Sequence, residues 1–253
     1  MKKFTLIIMV FCIPFIGISQ EVTTQSDKWE WDITPYLWAV GMKGDLSVSD
    51  QTDKIDVGFT DILKNIKIGG MLHAEARKGR WAIMADFLYA KLKQDIKNPG
   101  GNNDILVGSE LDLKIEQTLI ELGGAYTFAK VNSFKLEVIF GARYFDLSTD
   151  IKGVDGISSV FSHFEENFID PFVGLRFVNY WNKFGLLGRF DFGGFGVGSE
   201  ISYKYNLGVG YKFSRLFELM LAYEAYNPFY DNGENFVYDV STEGFLLGFK
   251  FQI

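Results

Sequence analysis

The chain has 253 residues, with 25 Lys plus Arg against 32 Asp plus Glu and only two His. A net charge of −7 without a basic run argues against a nucleic-acid partner, and a single cysteine leaves no disulfide to staple the fold. Aromatic residues reach 17%, with 27 Gly and only 5 Pro, a mixture that suits curved, lipid-facing sheet better than a water-soluble core.

Residues 1–19 read as an export signal. Lys2 and Lys3 precede an apolar run over residues 4–18, and Gly17 and Ser19 supply small residues before Gln20. The run is too short for a retained anchor, and Cys12 lacks the small-residue box of a lipoprotein. Cleavage would remove the only cysteine and two lysines, leaving a more acidic chain. Residues 20–28 then form a short tail and residues 29–253 one domain.

Residues 29–40 (WEWDITPYLWAV) alternate, with Trp29, Trp31, Ile33, Leu37 and Ala39 on one face and Glu30, Asp32, Thr34 and Tyr36 on the other. Pro35 suits an edge or a bulge. Residues 41–63 read as a strand extension and a loop. Residues 66–93 are the clearest hairpin. Ile66, Ile68, Leu72, Ala74 and Ala76 alternate with Lys67, His73, Glu75 and Arg77. Past a Lys78-Gly79 turn, Trp81, Ile83, Ala85, Phe87 and Tyr89 become the apolar set, with Asp86 opposite. Residues 97–104 (KNPGGNND) are a turn cluster.

Residues 110–128 change phase. Leu111, Leu113 and Ile115 are apolar at odd positions, but Ile120, Leu122, Tyr126 and Phe128 at even ones. A bulge near residues 117–119, or emergence from a membrane, would account for it. Residues 134–144 alternate strictly, with Lys135, Glu137 and Arg143 on the polar face. Residues 148–166 read as a polar loop. Residues 168–181 oppose Asp170 and Arg176 to Ile169, Val173, Leu175 and Phe177. After an Asn182-Lys183 turn, Arg189 and Asp191 oppose Phe184, Leu186, Phe190 and Phe192. Residues 193–199 (GGFGVGS) connect to a strand at 201–213, where Ser202, Lys204, Asn206 and Lys212 form the polar face. After Ser214-Arg215, Glu218 and Glu224 oppose Phe217, Leu219, Leu221 and Tyr223. Residues 227–235 read as a loop, and the last strand sets Phe245, Leu247, Phe249, Phe251 and Ile253 against Lys250 and Gln252.

These ten strands have short turns at one end and, residues 193–199 apart, longer connections at the other. The pattern predicts an all-β fold, a closed up-and-down antiparallel transmembrane β-barrel with both termini on the periplasmic side. Aromatics agree. Trp31, Trp81, Phe134, Trp181 and Phe213 lie near short turns or a terminus, and Tyr89, Tyr144, Tyr203 and Tyr223 toward the opposite ends. Phe134 to Tyr144 spans roughly 33 Å of strand, or about 25 Å of height once tilted, the apolar band of such a barrel. A soluble sandwich or lipocalin-like barrel shares the alternation but offers no reason to sort Trp and Phe to strand ends.

Three segments, residues 34–45 (TPYLWAVGMKGD), 74–92 (AEARKGRWAIMADFLYAKL) and 191–199 (DFGGFGVGS), together resemble a family of uncharacterised bacterial outer-membrane β-barrel proteins. The resemblance spans most of the mature chain. It implies the same fold and an outer-membrane location, and it implies no activity. Such barrels end in an aromatic residue read by the assembly machinery. This chain ends in Ile253, with Phe249 and Phe251 at the matching parity.

With the apolar face outward, Asp86, Glu121, Arg143, Arg176, Arg189, Asp191, Lys204 and Glu224 are expected to line the lumen. Counting from the short turns pairs Glu121 with Arg143, Arg176 with Asp191 and Lys204 with Glu224. The leading reading is a structural or surface-interaction barrel, filled by paired charges with Tyr36, Phe172 and Tyr180. The alternative is a small porin-like pore for ions or small solutes, with Asp86, Arg143, Arg176, Arg189 and Asp191 at mid-height.

An outer-membrane lipid hydrolase is less well supported. Only His73 and His163 exist, and adjacent Ser162 and His163 in a strand would point to opposite faces. No catalytic residue is therefore assigned, and the chain is not expected to be an enzyme. GGFGVGS lacks the Lys-Ser/Thr of a nucleotide loop, the DNGE stretch at 231–234 lacks calcium-loop spacing, and no zinc set exists. No cofactor or metal is expected. The expected partners are outer-membrane lipid and the barrel-assembly machinery during insertion, with the barrel a monomer. Loops at 150–166 and 227–239 are where another molecule would touch.

Overall fold

The computed structural model describes residues 28–48, 51–97, 110–155, 158–234 and 236–253. The expected export signal, most of the tail and most of the 97–104 turn cluster lie outside the described residues. Among the described residues there are eleven strands and one short helix. They are β1 (Glu30–Val48), β2 (Gln51–Val57), α1 (Phe59–Asn65), β3 (Ile66–Lys78), β4 (Trp81–Lys97), β5 (Glu110–Val131), β6 (Phe134–Asp155), β7 (Ser158–Trp181), β8 (Phe184–Gly193), β9 (Ile201–Lys212), β10 (Phe217–Asp231) and β11 (Phe236–Gln252). From β3 to β11 sequence neighbours pair antiparallel, β3 pairs with β1 across β2, and β11 returns to β1 with Asp32 opposite Gln252 and Ala39 opposite Phe245. The sheet therefore closes on itself, with β1 and β3 paired from Glu30–Arg77 to Pro35–Leu72; above that β1 takes β2 as its neighbour instead. Ten strands form that wall, while β2 pairs only with residues 42–48 of β1.

At the end where β1 begins and β11 finishes, three two-residue loops join the strands. Their first residues are Gly79, Asn132 and Asn182, with φ of 61°, 53° and 55°. These are residues that enter the left-handed region at low cost, as tight hairpins require. The first loop is Gly79-Arg80 and not Lys78-Gly79, because Lys78 still pairs with Trp81.

The opposite end is more ordered than the sequence suggests. Residues 148–166 are not a loop: β6 and β7 run on for 22 and 24 residues and pair from Lys135–Val178 up to Asp155–Ser158. β10 continues to Asp231, through what reads as a loop at 227–235. Residues 41–63 hold the top of β1, β2 and most of α1. Polar composition misleads here because charged side chains such as Lys114, Glu116 and Asp150 stand on the outer face of the wall.

Inward and outward faces exchange character partway up the wall. Near the turns Leu37, Ile83, Leu122, Val173, Leu207 and Phe245 are exposed on the outside, while Glu121, Glu137, Arg143, Asp170 and Asp191 are buried within. Higher on β5, Lys114 and Glu116 are on the outer surface, and Ile115 and Leu119 pack inside. β5 keeps one register with β4 over its whole pairing, and its only shift against β6 falls between Thr127 and Ala129. The bulge expected near 117–119 is therefore absent. The alternative reading holds: the strand is continuous and its surroundings change.

The upper interior is a hydrophobic core. Trp38, Leu88, Leu119, Phe145, Phe168, Tyr226 and Tyr238 pack together, and Ile62 enters from α1. Phe145 stacks on Phe168 at 4.9 Å and approaches Tyr238 at 5.4 Å. Above the short β8–β9 pair, Phe168 stacks on Tyr230 at 4.5 Å, while Tyr230 and Asn232 donate hydrogen bonds to Glu166 at 3.2 and 2.9 Å. β7 and β10 thus touch through side chains over the β8–β9 hairpin.

Candidate functional site

Below that core the lumen is polar, in three levels. At the turn end, Asp32 of β1 pairs with Lys250 of β11 at 2.7 Å. Tyr180 of β7 donates to both carboxylate oxygens of Glu218, at 2.9 and 2.8 Å, and Lys212 Nζ lies 3.5 Å from the centre of the Tyr180 ring. Glu218 is the register partner of Lys212, yet its side chain runs up over Gly210, where a methyl group would collide with the carboxylate.

One level up, Arg77, Arg176, Glu75 and Glu137 form a closed quartet. Arg176 reaches Glu75 at 2.6 Å and Glu137 at 2.7 Å; Arg77 reaches the same two at 2.8 and 2.7 Å. Thr127 donates to Glu137 at 2.8 Å. The pairing of Arg176 with Asp191 expected from turn counting does not occur. In the β7–β8 register Arg176 faces Arg189, and Gly174 faces Asp191. Repulsion from Arg189 and two carboxylates on the turn side direct Arg176 downward.

The third level holds most of the predicted lumen residues. Arg143 donates to Glu121 at 3.0 Å and Asp191 at 2.9 Å; Arg189 donates to the same two at 2.8 and 2.7 Å. Lys204 adds a bond to Glu121 at 2.8 Å and lies 3.3 Å from Glu224. Arg143 and Asp191 are 0% exposed. The guanidinium of Arg143 also lies 5.1 Å from the Phe172 ring and 4.7 Å from the Tyr226 ring, where core and charge meet. Asp86 stands apart, accepting from Tyr36 at 2.6 Å, with His73 Nδ1 3.1 Å away.

Six of the eight predicted lumen residues thus share one network, Asp86 sits beside it, and Arg176 belongs to the quartet below. Sequence reasoning did not single out Glu75, Arg77 and Glu137 as a site, nor Asp170, whose carboxylate accepts the Ser199 amide and hydroxyl, each at 2.7 Å. Parity could find the first three. Asp170–Ser199, which pins the glycine-rich connection to β7, leaves no local signal. A cavity of about 240 Å³ runs from Glu30, Asp32 and Gln252 at the turn end up to Tyr36, Lys204 and Glu224.

Of the predicted aromatic girdle, Trp31, Trp81, Trp181, Phe213 and Tyr203 are exposed, and Phe134, Tyr89, Tyr144 and Tyr223 are half-buried on the wall. Beyond Tyr89 and Tyr144 the outer surface becomes charged. Lys114 bonds Glu116 at 2.7 Å and Asp150 at 3.1 Å, and Lys91 reaches Glu116 at 3.0 Å. Bonds from Lys114, Lys91 and Tyr89 hold the Glu116 carboxyl down at about 2. The cluster therefore persists at neutral pH and dissolves only as pH falls toward that value. His163 lies 2.7 Å from Asp150. Among the described residues, no group of three or more His, Cys, Asp or Glu is arranged to hold a metal ion.

No protein-family model matches the chain, and no curated protein matches it in sequence. Among solved structures, it is similar to the translocator domain of the autotransporter NalP from Neisseria meningitidis, with TM-score 0.51, 11% identity, and 90% of each chain covered. It also aligns with the transport unit of the autotransporter AIDA-I from Escherichia coli (TM-score 0.42, 8% identity, 92% of this chain and 93% of that one). A third alignment is with the toluene transporter TodX of P. putida (TM-score 0.38, 7% identity, 90% and 91%). At such identity the likeness is one of fold, and it rests on the first of the three. The chain is a transmembrane-type β-barrel with a salt-bridged lumen.

Proposed function

We propose that this is an outer-membrane barrel of a Gram-negative-type bacterium, closed to solutes, which raises a water-facing upper half above the cell surface as a structural or interaction platform. The observation that carries this is the apolar core over Arg143. Strands of 22 and 24 residues rise well past an apolar belt that needs only about ten residues per strand. Their upper part is built as a soluble barrel, with charge outside and Phe, Tyr and Leu within. Solute entering from the turn end meets the quartet, then the buried Arg143–Asp191 network, then the core. On this reading the protein is exported, inserted by the assembly machinery, and works as a monomer in contact with outer-membrane lipid, with no catalytic role.

Planar-bilayer recording on barrel shown to be folded by heat-dependent gel mobility tests the proposal. We expect no single-channel steps. Reproducible stepwise conductance would establish the small-pore reading instead.

A further inference from the structure

We propose that the lumen cavity is a binding site, entered from the turn end, for a small amphipathic carboxylate. This goes beyond the surface role above and does not depend on it. Three observations on the cavity's own walls lead there.

The first is charge. Around the mouth, Asp32 is matched by Lys250, Glu218 is held by Tyr180, and Arg77 is shared between Glu75 and Glu137. That leaves the exposed carboxylate of Glu30 at the rim and, further in, the ammoniums of Lys135 and Lys212. Among the described residues no carboxylate oxygen comes within 4.0 Å of either ammonium, and Lys212 rests on an aromatic face instead. Two amines facing one cavity with no carboxylate in contact, Lys135 feeling Glu137 and Glu75 only from further off, are an incomplete arrangement, which an anionic ligand would complete.

The second is that Glu218 is turned away. It is the one carboxylate whose register places it opposite Lys212, and the absence of a side chain at Gly210 lets it fold toward Tyr180. The Tyr180 ring in turn lies over Gly185, where a methyl group would come within 2.6 Å of the ring. Two glycines on adjacent strands therefore keep the Lys212 ammonium clear of its neighbour's acid.

The third is shape. Met84, Ile139, Val178, Leu187, Met220 and Leu246 supply the apolar part of the lining. The volume of about 240 Å³ is below the roughly 300 Å³ at which drug-sized pockets begin. It suits a short-chain or single-ring acid, its carboxylate between the two lysines and its apolar body directed up the lumen.

The test uses the folded barrel in lipid nanodiscs and two fluorinated probes, 4-(trifluoromethyl)benzoate and its neutral amide, observed by fluorine NMR titration. The carboxylate is expected to bind about tenfold more tightly than the amide, the value of a charge-assisted bond. The preference should vanish in a Lys135→Met/Lys212→Met double variant and survive in Lys91→Met, which alters only the outer surface. Equal binding of the two probes to the unaltered barrel, or no binding of either, overturns the proposal without any variant. A preference that persists in a folded double variant overturns it as well. Bilayer conductance does not enter either outcome, so failure here leaves the surface reading untouched.

Discussion

Arg143 shows how strongly single side chains are held in this lumen. It is fully buried, bonded to Glu121 and Asp191, and flanked by the Phe172 and Tyr226 rings. Replacing it with methionine keeps most of the volume but leaves two buried carboxylates short of a cation. Arg143→Met is expected to destabilise the folded barrel by about 3–5 kcal/mol, read from the urea unfolding midpoint in vesicles. Lys91→Met, in the screened outer cluster, should change it by no more than about 1 kcal/mol. An Arg143→Met protein as stable as the parent would show that the network is not an organising feature of the lumen. Parity alone identified Arg143, Glu121, Asp191, Arg189, Lys204 and Glu224 as inward. It could not say that Arg176 leaves Asp191 for Glu75 and Glu137. That choice depends on Glu137, its register partner on the adjacent β6, and on Glu75 of β3, which meets β7's arginine only after the barrel closes.

Among the elements, the turn-end hairpins were the most legible and the outer ends the least. Short loops need a left-handed residue, and Gly or Asn appears at each of the three. Gly79→Val should cost about 1–2 kcal/mol in the same unfolding assay, because a β-branched residue resists a φ of 61°. Gly79→Asn should be tolerated, since Asn132 and Asn182 already hold the equivalent position. Equal stability of the valine and asparagine proteins would contradict that account of the turn. The tops of β6, β7 and β10 read as loops because outward residues such as Asp146, Asp150, His163 and Asn167 are polar and the inner apolar residues switch parity. A reader seeking one constant apolar face loses the strand where that face changes.

The whole molecule is two barrels on one set of strands, apolar-out below and apolar-in above. Leu207 lies midway along the outer face of β9 and is 56% exposed. In a bilayer, Leu207→Arg should cost about 2–4 kcal/mol, whereas Asn167→Arg, on the outer face above the girdle, should cost about 0–1 kcal/mol. Comparable penalties at both sites would mean that the lower belt does not face hydrocarbon.

Alternation, turn residues and the sorting of aromatics by themselves determined a ten-stranded antiparallel barrel, its direction of wrapping between inside and outside, and the charged identity of its lower lumen. These are period-two properties, written locally in each strand. Only the tertiary structure decided that the lumen ends under a hydrophobic core, which carboxylate each arginine takes, and that among the described residues none touches Lys135 or Lys212. Those outcomes depend on side chains from strands far apart in sequence reaching a common axis, and closure of the sheet is what brings them within contact distance.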